Sequence, residues 1–211
     1  MSKLKLIVPK KKPVVKRPTT PSGEIRIIGG LWKRTKLSVA DFPGLRPTPD
    51  RVRETLFNWL GQDLSGWRCV DAFAGTGALG FEAASRGANH VLMCEQQPAL
   101  VAQLLATATK LQAKMVKIDR GDGVSVLKRL PSKNIDLVLL DPPFEAIGVA
   151  DAALAAASLA VTDEGFIYFE SPKALTAEDA EVFGLQVHRF GKAGMVHYHL
   201  LQKIRKTVDL G

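Results

Sequence analysis

Asp141-Pro142-Pro143-Phe144 directly follows an apolar run, Ile135–Leu140. Two adjacent prolines fix φ and remove two backbone donors, which leaves carbonyl oxygens free to accept. A carboxylate and a neighbouring carbonyl can together accept both hydrogens of one NH₂ group, and the Phe144 ring offers a flat surface for a heterocycle. An exocyclic base amine is a poor nucleophile because its lone pair is delocalised into the ring. Two acceptors on its hydrogens favour a pyramidal nitrogen with its lone pair aimed at an incoming methyl, so orientation is a large part of catalysis in such a displacement. Asp141 need not deprotonate the free amine, because the proton becomes acidic only once the methyl has arrived. A paired base hides this nitrogen, so the base is expected flipped out or single-stranded. The plain alternative for the tetrapeptide is a rigid strand-ending turn.

The methyl donor is expected on a second loop. Asp71-Ala72-Phe73-Ala74-Gly75-Thr76-Gly77-Ala78-Leu79-Gly80 contains G-x-G-x-x-G from Gly75 to Gly80, a pattern that by itself names no particular cofactor. Its glycines let backbone N–H groups approach a ligand at the carboxyl end of a strand. A diphosphate on the helix N-terminus would be repelled by a carboxylate close by. Asp71 lies only four residues before Gly75, and a ligand carrying an ammonium and a sulfonium suits that position better. Glu95 ends the next strand and can accept from both hydroxyls of a ribose. Asp122, in Gly121-Asp122-Gly123, can accept from an adenine amino group, cap a helix, or do both. Asp71, Phe73, Gly75, Gly77, Glu95 and Asp122 are therefore the candidate contacts for S-adenosylmethionine.

These loops need a scaffold. Strands are expected at Cys69–Phe73, Val91–Glu95, Met115–Ile118, Ile135–Asp141 and Phe166–Glu170, alternating with helices at Ala78–Arg86, Pro98–Leu111, Gly123–Leu130 and Gly148–Leu159. That alternation predicts an α/β, doubly wound parallel sheet. Leu185–Phe190 and Val196–Leu201, separated by Gly191–Gly194, predict a C-terminal antiparallel hairpin. Upstream, Ile25–Ile28 and Leu31–Leu37 flank Gly29-Gly30 as a small hairpin. A helix follows, with Thr48 as its cap, Pro49 first and Asp50 at the positive end of its dipole. Val52, Leu56, Trp59 and Leu60 make its buried stripe, and Arg51 and Arg53 fall off that stripe. Gly61 suits the C-terminal cap.

Charge is distributed unevenly. Residues 1–23 hold seven cations and no acid, residues 24–54 seven cations and four acids, and residues 55–211 fifteen cations and seventeen acids. The excess over the whole chain, +8, therefore sits in the first quarter, which suggests a polyanion partner; a solubilising tail is the plain alternative. Residues 1–23 are rich in Lys and Pro, and are expected to be a disordered basic leader. The remaining divisions are a hairpin and helix over 24–61, a main domain over 62–205 and a tail over 206–211. Candidate RNA contacts are Lys10, Lys11 and Lys12 in the leader and Lys33 and Arg34 in the hairpin. Arg46, Arg51 and Arg53 around the first helix complete them. No apolar run is long enough to span a bilayer, no secretory leader is evident, and Cys69 and Cys94 suit reduced core thiols, so a cytoplasmic protein is expected. His197 and His199 share a strand face but no third ligand is apparent, so no metal site is expected.

Arg26–Gly30 (RIIGG), Leu45–Leu60 (LRPTPDRVRETLFNWL), the Asp71–Gly80 loop and Asp141–Phe144 together resemble the bacterial small-subunit ribosomal RNA guanine-N2 methyltransferases of the RsmD family. The resemblance spans about residues 24–203. It implies a seven-stranded Rossmann-like methyltransferase fold and methylation of one guanosine in 16S rRNA, on the small ribosomal subunit or its assembly intermediate. It also implies that Asp71, Gly75, Gly77, Glu95 and Asp122 face the cofactor and Asp141–Phe144 the guanine. A monomer is expected.

Three other readings compete. A DNA adenine-N6 methyltransferase would share the tetrapeptide, but no separate target-recognition domain is visible. An oxidoreductase would share the glycine loop, against which Asp71 and the Asp141 motif both stand. A non-catalytic RNA-binding assembly factor would keep the fold without turnover.

Overall fold

A computed structural model describes residues 23–39, 48–144, 146 and 148–205. The leader candidates Lys10, Lys11 and Lys12, together with Arg46 and the tail from 206, lie outside the described residues.

In chain order the elements are β1 (Glu24–Arg26), β2 (Lys36–Ser38), α1 (Asp50–Trp59), β3 (Arg68–Asp71), α2 (Ala78–Ser85), β4 (His90–Glu95) and α3 (Pro98–Lys110). There follow β5 (Val116–Arg120), α4 (Gly123–Arg129), β6 (Ile135–Leu140), α5 (Val149–Ala160), β7 (Val161–Ser171), α6 (Ala177–Glu181), β8 (Leu185–Ala193) and β9 (Val196–Lys203). The seven-stranded sheet has the order β5-β4-β3-β6-β7-β9-β8. β9 runs antiparallel to both neighbours, and the other pairings are parallel. This is the expected α/β methyltransferase fold with an antiparallel C-terminal end.

Period-two alternation divides the strands between two cores. Leu137, Leu139, Tyr168 and Leu200 face one core with α1, α2 and α3, while Val138, Leu140, Ile167 and Leu201 face the other with α4, α5 and α6. From β3 the chain proceeds outward to β4 on one side and later to β6 on the other. The β3/β6 boundary is thus the topological switch point, outside which ligands of open α/β sheets bind.

Three local expectations are corrected. Leu31–Arg34 is a turn, and only Lys36–Ser38 forms the return strand. The cause is docking on the end of α2. Leu31 N–H donates to the Ser85 carbonyl at 2.7 Å and Trp32 N–H to Ser85 Oγ at 2.9 Å. At Gly30, φ is +73° and a Cβ would stand 1.8 Å from the Ser85 carbonyl oxygen, so the close approach requires glycine. The second correction concerns Thr48. Pro49 occupies the cap position of α1 with no side-chain cap bond, and Thr48 is buried with its carbonyl accepting from Arg53 Nε at 3.3 Å. The third is the short helix α6, unforeseen although Thr176 and Asp179 form a reciprocal capping box at its start. Gly61, with φ +87°, does follow the end of α1 as expected.

Candidate active site

The glycine loop leaves β3 and enters α2 at the switch point. Gly77 sits at the N-cap of α2 with φ +79°, and a Cβ there would meet the Phe81 ring at 2.6 Å. Asp71 is 2% exposed and braces this loop from beneath, its Oδ2 accepting from Gly80 N–H at 3.0 Å. Burial raises its pKa to about 7 against the pull of the backbone donors Gly80 and Phe73. Phe73 is half-buried against the second core.

Glu95 reaches back over the loop. One of its oxygens accepts from Gly75 N–H at 3.0 Å and the other from Gln97 N–H at 2.8 Å. Asp122 takes the capping position expected of it. Its Oδ2 caps α4 by accepting from Ser125 N–H at 2.9 Å and Oγ at 2.6 Å, while Oδ1 has only Gln96 Nε2 at 3.4 Å. The Ser125 hydroxyl is the main cause of its lowered pKa. Gly75, Gly77, Glu95 and Asp122 thus come together along the carboxyl edge of β3, β4 and β5.

Asp141 follows the last residue of β6, next to this loop. Its carboxylate has no hydrogen-bond donor among the described residues. Its pKa is raised well above the ordinary value by burial first, and then by the carboxylates of Glu170 and Asp71. Pro142 is buried, whereas Pro143 and Phe144 are exposed, Phe144 to 46%. Ala146 N–H donates to the Pro143 carbonyl at 3.1 Å. That carbonyl is already engaged, which corrects the expectation of freely accepting carbonyls. Those of Asp141 and Pro142 have no donor among the described residues.

The expected basic contacts divide. Lys33, Arg34 and Arg51 are exposed. Arg53 has no exposure at all, which removes it from any RNA-contacting role. Its guanidinium bonds Glu82 at 3.2 Å, Asp50 at 2.6 Å, the Arg26 carbonyl at 2.9 Å and the Thr48 carbonyl at 3.3 Å. Glu82, equally buried on α2, also accepts from Ile28 and Gly29 N–H, both at 2.8 Å, and from Arg86 Nε at 2.9 Å. This network ties the RIIGG segment and the turn before α1 to the helix behind the glycine loop.

His199 is structural. Leu175 N–H donates to its Nε2 at 3.0 Å, which leaves the proton on Nδ1, facing the Phe169 carbonyl at 3.3 Å. Burial lowers its pKa. Among the described residues no group of three or more His, Cys, Asp or Glu could hold a metal, and no helix is long and apolar enough to cross a membrane.

Sequence reasoning missed Glu82, Tyr168 and Glu170. The signal for Glu82 was a lone acid in the otherwise small and apolar helix A-L-G-F-E-A-A-S.

Comparison with known proteins agrees with this geometry. Solved methyltransferases share the fold, including the precorrin-6y C5,15-methyltransferase of Geobacter metallireducens (TM-score 0.61, 18% identity, 77% of this chain and 92% of that one). The structure of yhhF from Escherichia coli is similar with a TM-score of 0.73 and 38% identity, over 87% of this chain and all of that one. Fold and site together define a Rossmann-like methyltransferase. The family described as conserved hypothetical protein 95 matches residues 25–202. Ribosomal RNA small subunit methyltransferase D of Escherichia coli is 40% identical over 194 residues, 90% of this chain and 96% of that protein. Its counterpart in Haemophilus influenzae is 42% identical over 135 residues, 62% of this chain and 70% of that protein. The chain belongs to this family, the RsmD methyltransferases.

Proposed function

We propose that this protein transfers a methyl group from S-adenosylmethionine to the exocyclic N2 amine of one guanosine in 16S rRNA. It would act in the cytoplasm, as a monomer, on the small ribosomal subunit or its assembly intermediate. The observation that carries the reading is the placement of Asp141 beside the glycine loop at the switch point, with no protein donor on its carboxylate among the described residues. The names of the relatives supply the nucleic acid.

The residues present fit the cofactor. Glu95 offers two oxygens for ribose hydroxyls, and Asp122 retains an oxygen not used in capping. Asp71 adds negative charge behind the loop. Bound there, S-adenosylmethionine supplies an electrophilic methyl on a sulfonium.

The chain's own residues perform the rest. Asp141 and a carbonyl of Asp141 or Pro142 accept the two amine hydrogens and turn the nitrogen lone pair outward. Phe144, half out of the surface, stacks on the base. Lys33, Arg34 and Arg51, all exposed, would meet phosphates, which position RNA without reading its sequence.

Incubating the purified protein with methyl-labelled S-adenosylmethionine and either small subunits, free 16S rRNA or plasmid DNA tests this reading. Nucleoside digestion should return label as N2-methylguanosine from the ribosomal substrates. Label in N6-methyladenine from DNA would overturn it.

A further inference from the structure

Three acidic side chains end neighbouring strands on one face of the sheet. Asp71 pairs with Leu139, Tyr168 pairs with Leu139, and Tyr198 pairs with Glu170, while Leu139, Tyr168 and Tyr198 all belong to the first core. Asp141, two residues beyond Leu139, and Glu170, two beyond Tyr168, continue that face. No Lys or Arg among the described residues is among the charges acting on the three. Unpaired carboxylates so close together cannot all ionise freely.

Their hydrogen bonding differs. Glu170 is 4% exposed and accepts from the Tyr168 hydroxyl at 2.7 Å. Asp141 has neither a donor nor a cation among the described residues. Burial raises the pKa of Glu170 and the Tyr168 hydroxyl opposes that rise, whereas Asp141 has no such donor, so a proton shared by the pair belongs on Asp141.

We propose that Glu170 is a positioning residue for the transfer: Tyr168 holds it beside Asp141, and its charge makes Asp141 the acceptor of the proton that the methylated amine sheds. This rests on the amine-methylation reading above. The amine lone pair forms the new N–C bond as the methyl's bond to sulfur breaks and leaves its electron pair on sulfur. The surplus proton on nitrogen passes to an Asp141 oxygen and then to water at the open side of the site. A carboxylate with no charged neighbour would be a weaker base.

The test is the pH dependence of turnover on small subunits in wild type, Glu170→Gln and Tyr168→Phe. Among the described residues, Asp71, Asp141 and Glu170, with Tyr168 and Tyr198 on the same face, are the titratable groups around the pair. Glu170→Gln keeps acceptor and size but loses charge. Its acid limb should move to lower pH by about one unit, a tenfold change in proton affinity, and its plateau rate should fall. Tyr168→Phe removes a donor from Glu170, the pair then holds its proton more tightly, and the limb should move to higher pH. Cofactor affinity and RNA KM should stay unchanged in both. Opposite limb shifts are not expected of a merely structural role.

A second readout needs no RNA. Carboxylates whose folded pKa is raised contribute stability that is present below the unfolded value and lost as pH rises through the folded one. The melting temperature of the wild type should therefore decline with rising pH over that window, and Glu170→Gln should flatten the decline. An acid limb unmoved in Glu170→Gln, or an unchanged decline in its melting temperature, would overturn the proposal. A wild-type protein that methylates no RNA would instead remove the function reading, and the thermal series would still decide the coupling of charges.

Discussion

Replacing Arg53 by alanine separates two accounts of the first helix. By helical spacing Arg53 falls off the apolar stripe and reads as an RNA contact, yet its side chain is fully buried against Glu82. The substitution strips Glu82 of one of its two cations, leaving Arg86 at 2.9 Å and two backbone donors. It also frees the carbonyls of Arg26 and Thr48. Breaking a buried ion pair by removing one partner costs about 3–5 kcal/mol, because the remaining charge stays buried. For a domain of this size each kcal/mol lowers the melting temperature by roughly 2–4 °C, so a fall on the order of 6–20 °C is expected. Arg53→Lys should rescue little, since a single ammonium cannot reproduce the fork. Arg51→Ala, at an exposed position, should stay within about 0.5 kcal/mol of wild type. Thermal and urea denaturation of the three variants, with RNA affinity measured at a temperature where all are folded, decides the matter. An Arg53→Ala protein with unchanged melting temperature and lost RNA binding would refute the structural role.

Asp141→Ala should abolish methyl transfer while calorimetry shows cofactor binding retained; near-normal turnover in a folded variant would exclude the amine-orienting role. Glu95→Ala should weaken S-adenosylmethionine by at least about tenfold, since hydrogen bonds to charged groups are worth roughly 1.5–3 kcal/mol each, and unchanged affinity would remove Glu95 from the site. Asp71, raised to about 7 by burial, favours folding below its ordinary range and loses that contribution as pH rises toward 7. Asp71→Asn, which keeps an acceptor for Gly80 N–H, should accordingly have a melting temperature less sensitive to pH between 5 and 8. Deleting residues 1–23 should leave cofactor affinity and saturated turnover unchanged but make the salt dependence of RNA affinity shallower. Seven phosphate contacts at about −0.7 each set a ceiling near −5 for the lost slope, and an unchanged slope would show that the leader does not touch RNA.

The strands and helices of the main sheet were legible because hydrophobic runs and glycine punctuation repeat regularly from Arg68 onward. D-P-P-F and the glycine loop were legible because their chemistry depends on residue types fixed in short spans. What escaped the sequence depends on partners distant along the chain. Arg53 became a core residue through Glu82, and the actual buried face of α1 takes in Phe57 beside Val52 and Leu56. Leu31–Arg34 had strand-like composition, but Leu31 N–H is taken by the end of α2, Lys33 N–H by the Gly30 carbonyl and Arg34 N–H by the Ile27 carbonyl. Glu170 and Tyr168 looked like the end of an ordinary strand, and only the pairing of β7 with β6 brings them to Asp141. Thr48 has the composition of a helix cap, but Pro49 takes the cap position and Arg53 holds the Thr48 carbonyl.

Mass mapping of methyl groups in 16S rRNA from cells lacking this protein tests the central claim most directly. One N2-methylguanosine should be missing, and it should return with the wild-type gene but not with Asp141→Ala. An unchanged methylation map, or restoration of the missing group by Asp141→Ala, would contradict it.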